Sequence, residues 1–137
     1  LVFIGESARD AFDLLINQLG DRPDIYYHCA VAYRVLQNYE KAIYYLNEAV
    51  ALDKDLIEVI NEFGINYACL ENYEMAIQYF RKAFEVTKSI EICTNLVMCY
   101  INVKNFDQAR IHLEIAKKID AKDEIVIDLE KLFTEDK

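Results

Sequence analysis

The sequence predicts an all-α fold, a solenoid of antiparallel helix pairs stacked in register. Three observations predict it. Aligning Ala42 with Ala76 and then with Ala109 gives steps of 34 and 33 residues, and the register holds over most of the chain; a period in this range is the signature of a repeat array. Within each period the apolar residues recur three, four and seven positions apart, the spacing of one helix face rather than of a strand. Finally, Asn38, Asn72 and Asn105 fall at the same point of each period. Asparagine accepts left-handed backbone or caps the helix that follows it, so these residues mark the turn inside each pair.

Taken in order, Ala8, Phe12, Leu15, Ile16 and Leu19 form a helical stripe over 6–19 that Gly20 and Pro23 interrupt. It reads as the second helix of a partial repeat. The first full repeat spans 23–56, the second 57–89 and the third 90–122. Their small positions are Ala30, Gly64 and Val97, then Ala42, Ala76 and Ala109, then Ala49, Ala83 and Ala116. Large residues lie between them: Tyr33, Tyr67 and Tyr100; Leu36, Leu70 and Val103; Tyr39, Tyr73 and Phe106; Leu46, Phe80 and Leu113. Small side chains let helix backbones approach and large ones fill the space between pairs, so one pair buries its face only against the next. Over 123–134, Ile125, Leu129, Leu132 and Phe133 make an apolar stripe on a charged helix, as expected of a cap that closes the stack. The whole of 1–137 is read as one domain.

These residues resemble the tetratricopeptide repeat family. The motif is carried by Tyr26, Cys29, Ala30, Tyr33, Ala42, Leu46 and Ala49, again by Ile60, Phe63, Gly64, Tyr67, Ala76, Phe80 and Ala83, and more weakly by Cys93, Leu96, Val97, Tyr100, Ala109, Leu113 and Ala116. Lys54, Lys88 and Ala121 stand where the family usually has Pro, and Val97 where it has a small residue. The resemblance implies a right-handed superhelix, and a partner segment held on the concave face by the first helix of each pair. In this register that face carries Asp24, Tyr27, Val31 and Arg34, then Glu58, Asn61, Ile65 and Ala68, then Glu91, Thr94, Met98 and Ile101. Asp24, Glu58 and Glu91 form either a carboxylate column for a basic ligand or a set of first-turn acids. Each of the latter is favoured by its helix dipole by about 0.3–1 kcal/mol. One branch of the family grips chaperone C-terminal carboxylates with Lys, Asn and Arg. Tyr27, Val31, Glu62, Glu91 and Asn95 occupy those positions here, and the carboxylates among them disfavour such a ligand.

Composition narrows the function. A net charge of −9 argues against phosphate-driven nucleic-acid binding, and a basic or amphipathic protein partner suits it better. Cys29, Cys69, Cys93 and Cys99 lie in apolar helical segments without a CxxC pair, so they read as reduced core thiols and point to a cytoplasmic setting. "LVFIG" is too short for a secretory leader, and the absence of an initial Met suggests a piece of a longer chain. The stretch from Ile90, "IEICTNLVMCYINV", is shorter than a bilayer span. Three glycines preclude a Gly-rich phosphate cradle, and His28 and His112 fall in different repeats. His28 and Cys29 point about 100° apart on a helix and do not converge on a metal. The expectation is therefore a non-catalytic scaffold without cofactor or metal. The alternatives are a positioning module of a larger enzyme or sensor and a self-assembly module using the array ends, chiefly Leu1 to Leu19.

Overall fold

The computed structural model describes the backbone of residues 2–135 and the side chains of 10–134. Eight α-helices follow one another, with no strand among the described residues: α1 (Val2–Leu19), α2 (Pro23–Val35), α3 (Tyr39–Leu52), α4 (Ile57–Cys69), α5 (Tyr73–Val86), α6 (Ile90–Asn102), α7 (Phe106–Ile119) and α8 (Glu124–Glu135). Each packs on its neighbours in sequence, and α2 also touches α4. This is an all-α helical repeat solenoid.

The periodic small residues fill the centre of the stack. Ala30, Ala42, Ala49, Ala76, Ala83, Val97, Ala109 and Ala116 have no exposed surface, and Leu46, Phe80 and Leu113 lie against them. Two apolar clusters meet at α4, one running from Tyr26 to Phe63 and the other from Ile60 to Leu129. Aromatic rings bridge helices within and between pairs: Phe12 meets Tyr33 edge-on at 5.3 Å, Tyr33 stacks on Tyr45 at 5.5 Å, and Phe63 stacks on Tyr79 at 4.8 Å. Not every periodic position is core, since Leu70 and Phe106 are exposed at the turns.

The turns inside the pairs are built the same way three times. Asn38, Asn72 and Asn105 take the capping role, each side-chain oxygen accepting from the backbone N–H three residues on, at 3.2, 3.4 and 3.3 Å. The left-handed residue is the one before: Gln37, Glu71 and Lys104 have φ of 62°, 62° and 63°. The Asn N–H then bonds back to the carbonyl of Tyr33, Tyr67 or Tyr100, the 6→1 closure of a Schellman turn. Glycine normally fills such a left-handed position because an L side chain is strained there by about 1–2 kcal/mol. Gln37→Gly, Glu71→Gly and Lys104→Gly should therefore each stabilise the fold by about 1 kcal/mol, less the backbone entropy glycine loses. Thermal melts of the single and triple variants check this; a uniform fall in Tm would contradict it.

The ends depart from the expected stripes. Helix α1 starts at Val2, earlier than the predicted 6–19. Phe12 and Ile16 are partly buried against α2 and α3, whereas Leu15 and Leu19 face solvent; the side chain of Ala8 lies outside the described residues. On α8 the inward stripe is Val126, Leu129 and Phe133, while Ile125 and Leu132 point outward. Steps of three and four from Leu129 reach Val126 and Phe133, so the inner face is rotated by about one position from the stripe read in the sequence. Asp123 caps this helix, accepting from the N–H groups of Ile125 and Val126.

Candidate functional site

The first helices of the pairs, α2, α4 and α6, share one side of the stack. Ser89 starts α6 by accepting from the Ile92 N–H at 3.1 Å, and Pro23 opens α2 with the φ a first helical position needs. Both devices set Asp24 and Glu91 in the first turn of their helices, as Glu58 is in α4. All three carboxylates are exposed. Asp24 pairs with Arg22 at 2.8 Å, while Glu58 and Glu91 have no ion-pair partner among the described residues.

One turn further in, the face becomes polar and partly buried. Tyr27 is half-buried; burial first, then the nearby Glu62, Glu58 and Glu91 carboxylates, push its hydroxyl above the ordinary tyrosine value. That places Tyr27 beside negative charge from α4 and α6, which Arg34 of its own helix partly offsets. Arg34 donates its Nε and Nη2 to the carboxylate of Glu62, which is 3% exposed, and this bond holds its guanidinium above the usual arginine value. Asn66 donates to the same carboxylate at 3.0 Å and to the Glu62 carbonyl at 2.8 Å. Arg34 is thus committed to Glu62. Val31 and Asn61 are half-buried, and Thr94 is buried, its hydroxyl donating to the Glu91 carbonyl at 3.0 Å, so it presents little to solvent.

Toward the C-terminal ends of α4 and α6 the face opens into an apolar cleft of about 280 Å³. Three residues of the predicted face, Ile65, Ala68 and Met98, line it together with Cys69 from α4, Asn95, Cys99 and Asn102 from α6, and Tyr73 and Phe80 from α5. Ile101 is half-buried and packs against the core beside it. Asn95, Met98 and Asn102 follow Glu91 at steps of four, seven and eleven, so the α6 part of the stripe was present in the sequence. Tyr73 and Phe80 were not accessible to a reading confined to the first helix of each pair.

The cysteines divide in two. Burial pushes the thiols of Cys29, Cys93 and Cys99 up to about 11, and Cys93 donates to the His112 carbonyl at 3.2 Å. Cys69 does not belong to the core: it is exposed at the end of α4, on the wall of the cleft. All four are free thiols. Under native conditions a disulfide reagent such as dithionitrobenzoate should react rapidly with one thiol per chain, mapping to Cys69, and with the other three only after unfolding. More than one fast thiol would contradict the buried placement of Cys29, Cys93 and Cys99.

The described residues hold no cluster of three or more His, Cys, Asp or Glu groups placed to bind a metal ion, and none of their helices is long and apolar enough to cross a membrane. His28 is exposed beside Tyr27, and the His112 ring bonds the Gln108 carbonyl at 2.9 Å.

Comparison with known proteins gives the same architecture a lineage. Among solved structures, the chain is similar to YrrB, a tetratricopeptide repeat protein with an unusual peptide-binding site. The two are 21% identical with a TM-score of 0.79, over 94% of this chain and 69% of that one. It also resembles a chain of the APC/C hetero-tetramer Cut9–Hcn1, 18% identical with a TM-score of 0.82, over 90% of this chain and 25% of that one. MamA is 18% identical with a TM-score of 0.75, over 95% of this chain and 75% of that one. No curated protein sequence matches. Family profiles described as tetratricopeptide repeat match residues 23–56, 58–89 and 90–123, most of the chain. The chain belongs to the tetratricopeptide repeat family.

Proposed function

We propose that this chain is a non-catalytic scaffold that holds a peptide or helical segment of another protein against α2, α4 and α6. The observation that carries the reading is the continuity of one face: unpaired Glu58 and Glu91 lead along their helices to the apolar cleft at Ile65, Ala68 and Met98. Repeat helices supply surface rather than a catalytic constellation, and proteins of this family are generally scaffolds. The peptide-binding site of YrrB is in keeping with the proposal. Three buried free thiols suit a reducing compartment such as the cytoplasm.

The test is capture of partners by the wild-type chain beside a Glu58→Lys, Glu91→Lys variant. Both residues are exposed, so the variant should melt within a few degrees of wild type and lose its groove-bound partner. Retention of identical partners by both would remove α4 and α6 from the binding surface. A second reading, self-association through the array ends, is favoured by the exposed Leu14, Leu15 and Leu19 on α1 and Ile125 and Leu132 on α8. Sedimentation equilibrium decides it, since a monomer at all concentrations rules it out.

A further inference from the structure

Resting on that groove reading, we infer that the segment bound between α4 and α6 is basic and carries one large aliphatic side chain. That side chain, a leucine, isoleucine or methionine, seats in the cleft lined by Ile65, Ala68 and Met98, with its Lys or Arg residues against Glu58 and Glu91. Two independent features define this occupant. The cleft holds about 280 Å³, is floored by the Phe80 ring and is walled by a half-exposed methionine, whose flexible thioether adapts to an aliphatic guest. The acidic end is uncompensated: Arg34, the cation on this face, is already spent on buried Glu62, so Glu58 and Glu91 leave the face negative. Tyr27 lies next to this charge, its hydroxyl raised first by burial and then by Glu62, Glu58 and Glu91, with Arg34 opposing. An acidic or C-terminal carboxylate ligand would meet like charge here, whereas a basic one is steered toward the site and held in register by it.

The geometry also fixes a spacing. Seven helical residues separate Glu58 from Ile65 and Glu91 from Met98, about 10 Å along the helices at roughly 1.5 Å per residue. An extended segment covers that distance in about three residues, at roughly 3.3 Å each.

The chain contains two methionines, Met75 and Met98. Labelling their methyl groups with carbon-13 therefore gives two signals, assigned by a Met98→Leu variant. The probes are three short acetylated peptides in a serine–glycine background: a leucine three residues from a lysine pair, the same peptide with glutamates for lysines, and the lysine peptide with alanine for leucine. The leucine–lysine peptide should shift the Met98 signal saturably and leave Met75 in place, and added salt should weaken it. The glutamate and alanine peptides should bind at least several-fold more weakly. In a Glu58→Gln, Glu91→Gln variant the preference for lysine over glutamate should vanish while the need for leucine persists. Equal shifts from the lysine and glutamate peptides, or from the leucine and alanine peptides, would overturn the inference and leave groove binding standing. A Met98 signal that no peptide moves would overturn both.

Discussion

Arg34→Leu is expected to destabilise the fold by about 3–5 kcal/mol, the cost of leaving a buried carboxylate without its cation. Glu62 is 3% exposed and has one other side-chain partner, the amide of Asn66, which cannot neutralise its charge. Against a total stability of about 5–15 kcal/mol, that loss is a large share. It should also be local in effect. Arg34 belongs to the first repeat and Glu62 to the second, so their bond is a coupling between neighbouring repeats, and the two apolar clusters meet at the same helix. Hydrogen exchange in the variant should therefore lose protection in α2 and α3 well before α5 to α7. Replacing both residues, Arg34→Leu with Glu62→Leu, removes the stranded charge and should recover most of the stability or exceed wild type. Urea denaturation of the two single variants and the double variant measures the coupling directly. A single Arg34→Leu change that costs under about 1 kcal/mol would mean that water reaches the Glu62 carboxylate.

The Arg34–Glu62 bond shows where sequence reading stops. The 34-residue register was enough to place Ala30, Ala42, Ala76 and Ala109 at the centre of the stack, because helical periodicity depends only on local spacing. Arg34 also appeared on the expected face, but its partner lies 28 residues away on another helix, and no spacing rule within one helix connects them. The same holds for the cleft. Met98, Ile65 and Ala68 follow from the periodicity of the first helices, whereas Tyr73 and Phe80 enter from α5, which packs on both α4 and α6. Errors of one position came at the ends. A terminal helix has a neighbour on one side alone, so Leu129 and Phe133 are compatible with two overlapping stripes, and packing against α7 selects Val126 over Ile125. Cys69 was misplaced for a related reason: an apolar neighbourhood in sequence does not reveal that the final residue of a helix is left exposed when the residues before it are packed.

Gly64→Ala should destabilise the protein although alanine is the better helix former. At mid-helix the exchange gains about 1 kcal/mol in propensity. A Cβ at this position, however, would stand 2.6 Å from Cε1 and 2.7 Å from Cδ1 of the Phe80 ring, and that ring is fully buried between α4, α5 and α6. Overpacking of this kind costs about 1–3 kcal/mol, and because the buried ring has little room to yield, a net loss of up to about 2 kcal/mol is expected. The other repeats show how the volume is balanced. Where the second repeat pairs Gly64 with Phe80, the first has Ala30 and Leu46 at the same register positions and the third has Val97 and Leu113, all buried. A larger side chain on the first helix goes with a smaller one on the second. Phe80→Leu alone should lose about 1–2 kcal/mol by leaving space beside Gly64. Gly64→Ala combined with Phe80→Leu recreates the pairing of the first repeat and should be more stable than either single variant, a coupling of at least about 1 kcal/mol in the double-mutant cycle. Because Phe80 also floors the apolar cleft, the single Gly64→Ala change should push the ring toward Met98 and shift its methyl signal, and the double variant should not. Strict additivity of the two substitutions would show that the ring and the glycine are not in contact, and that α4 and α5 stand further apart than 2.6 Å allows.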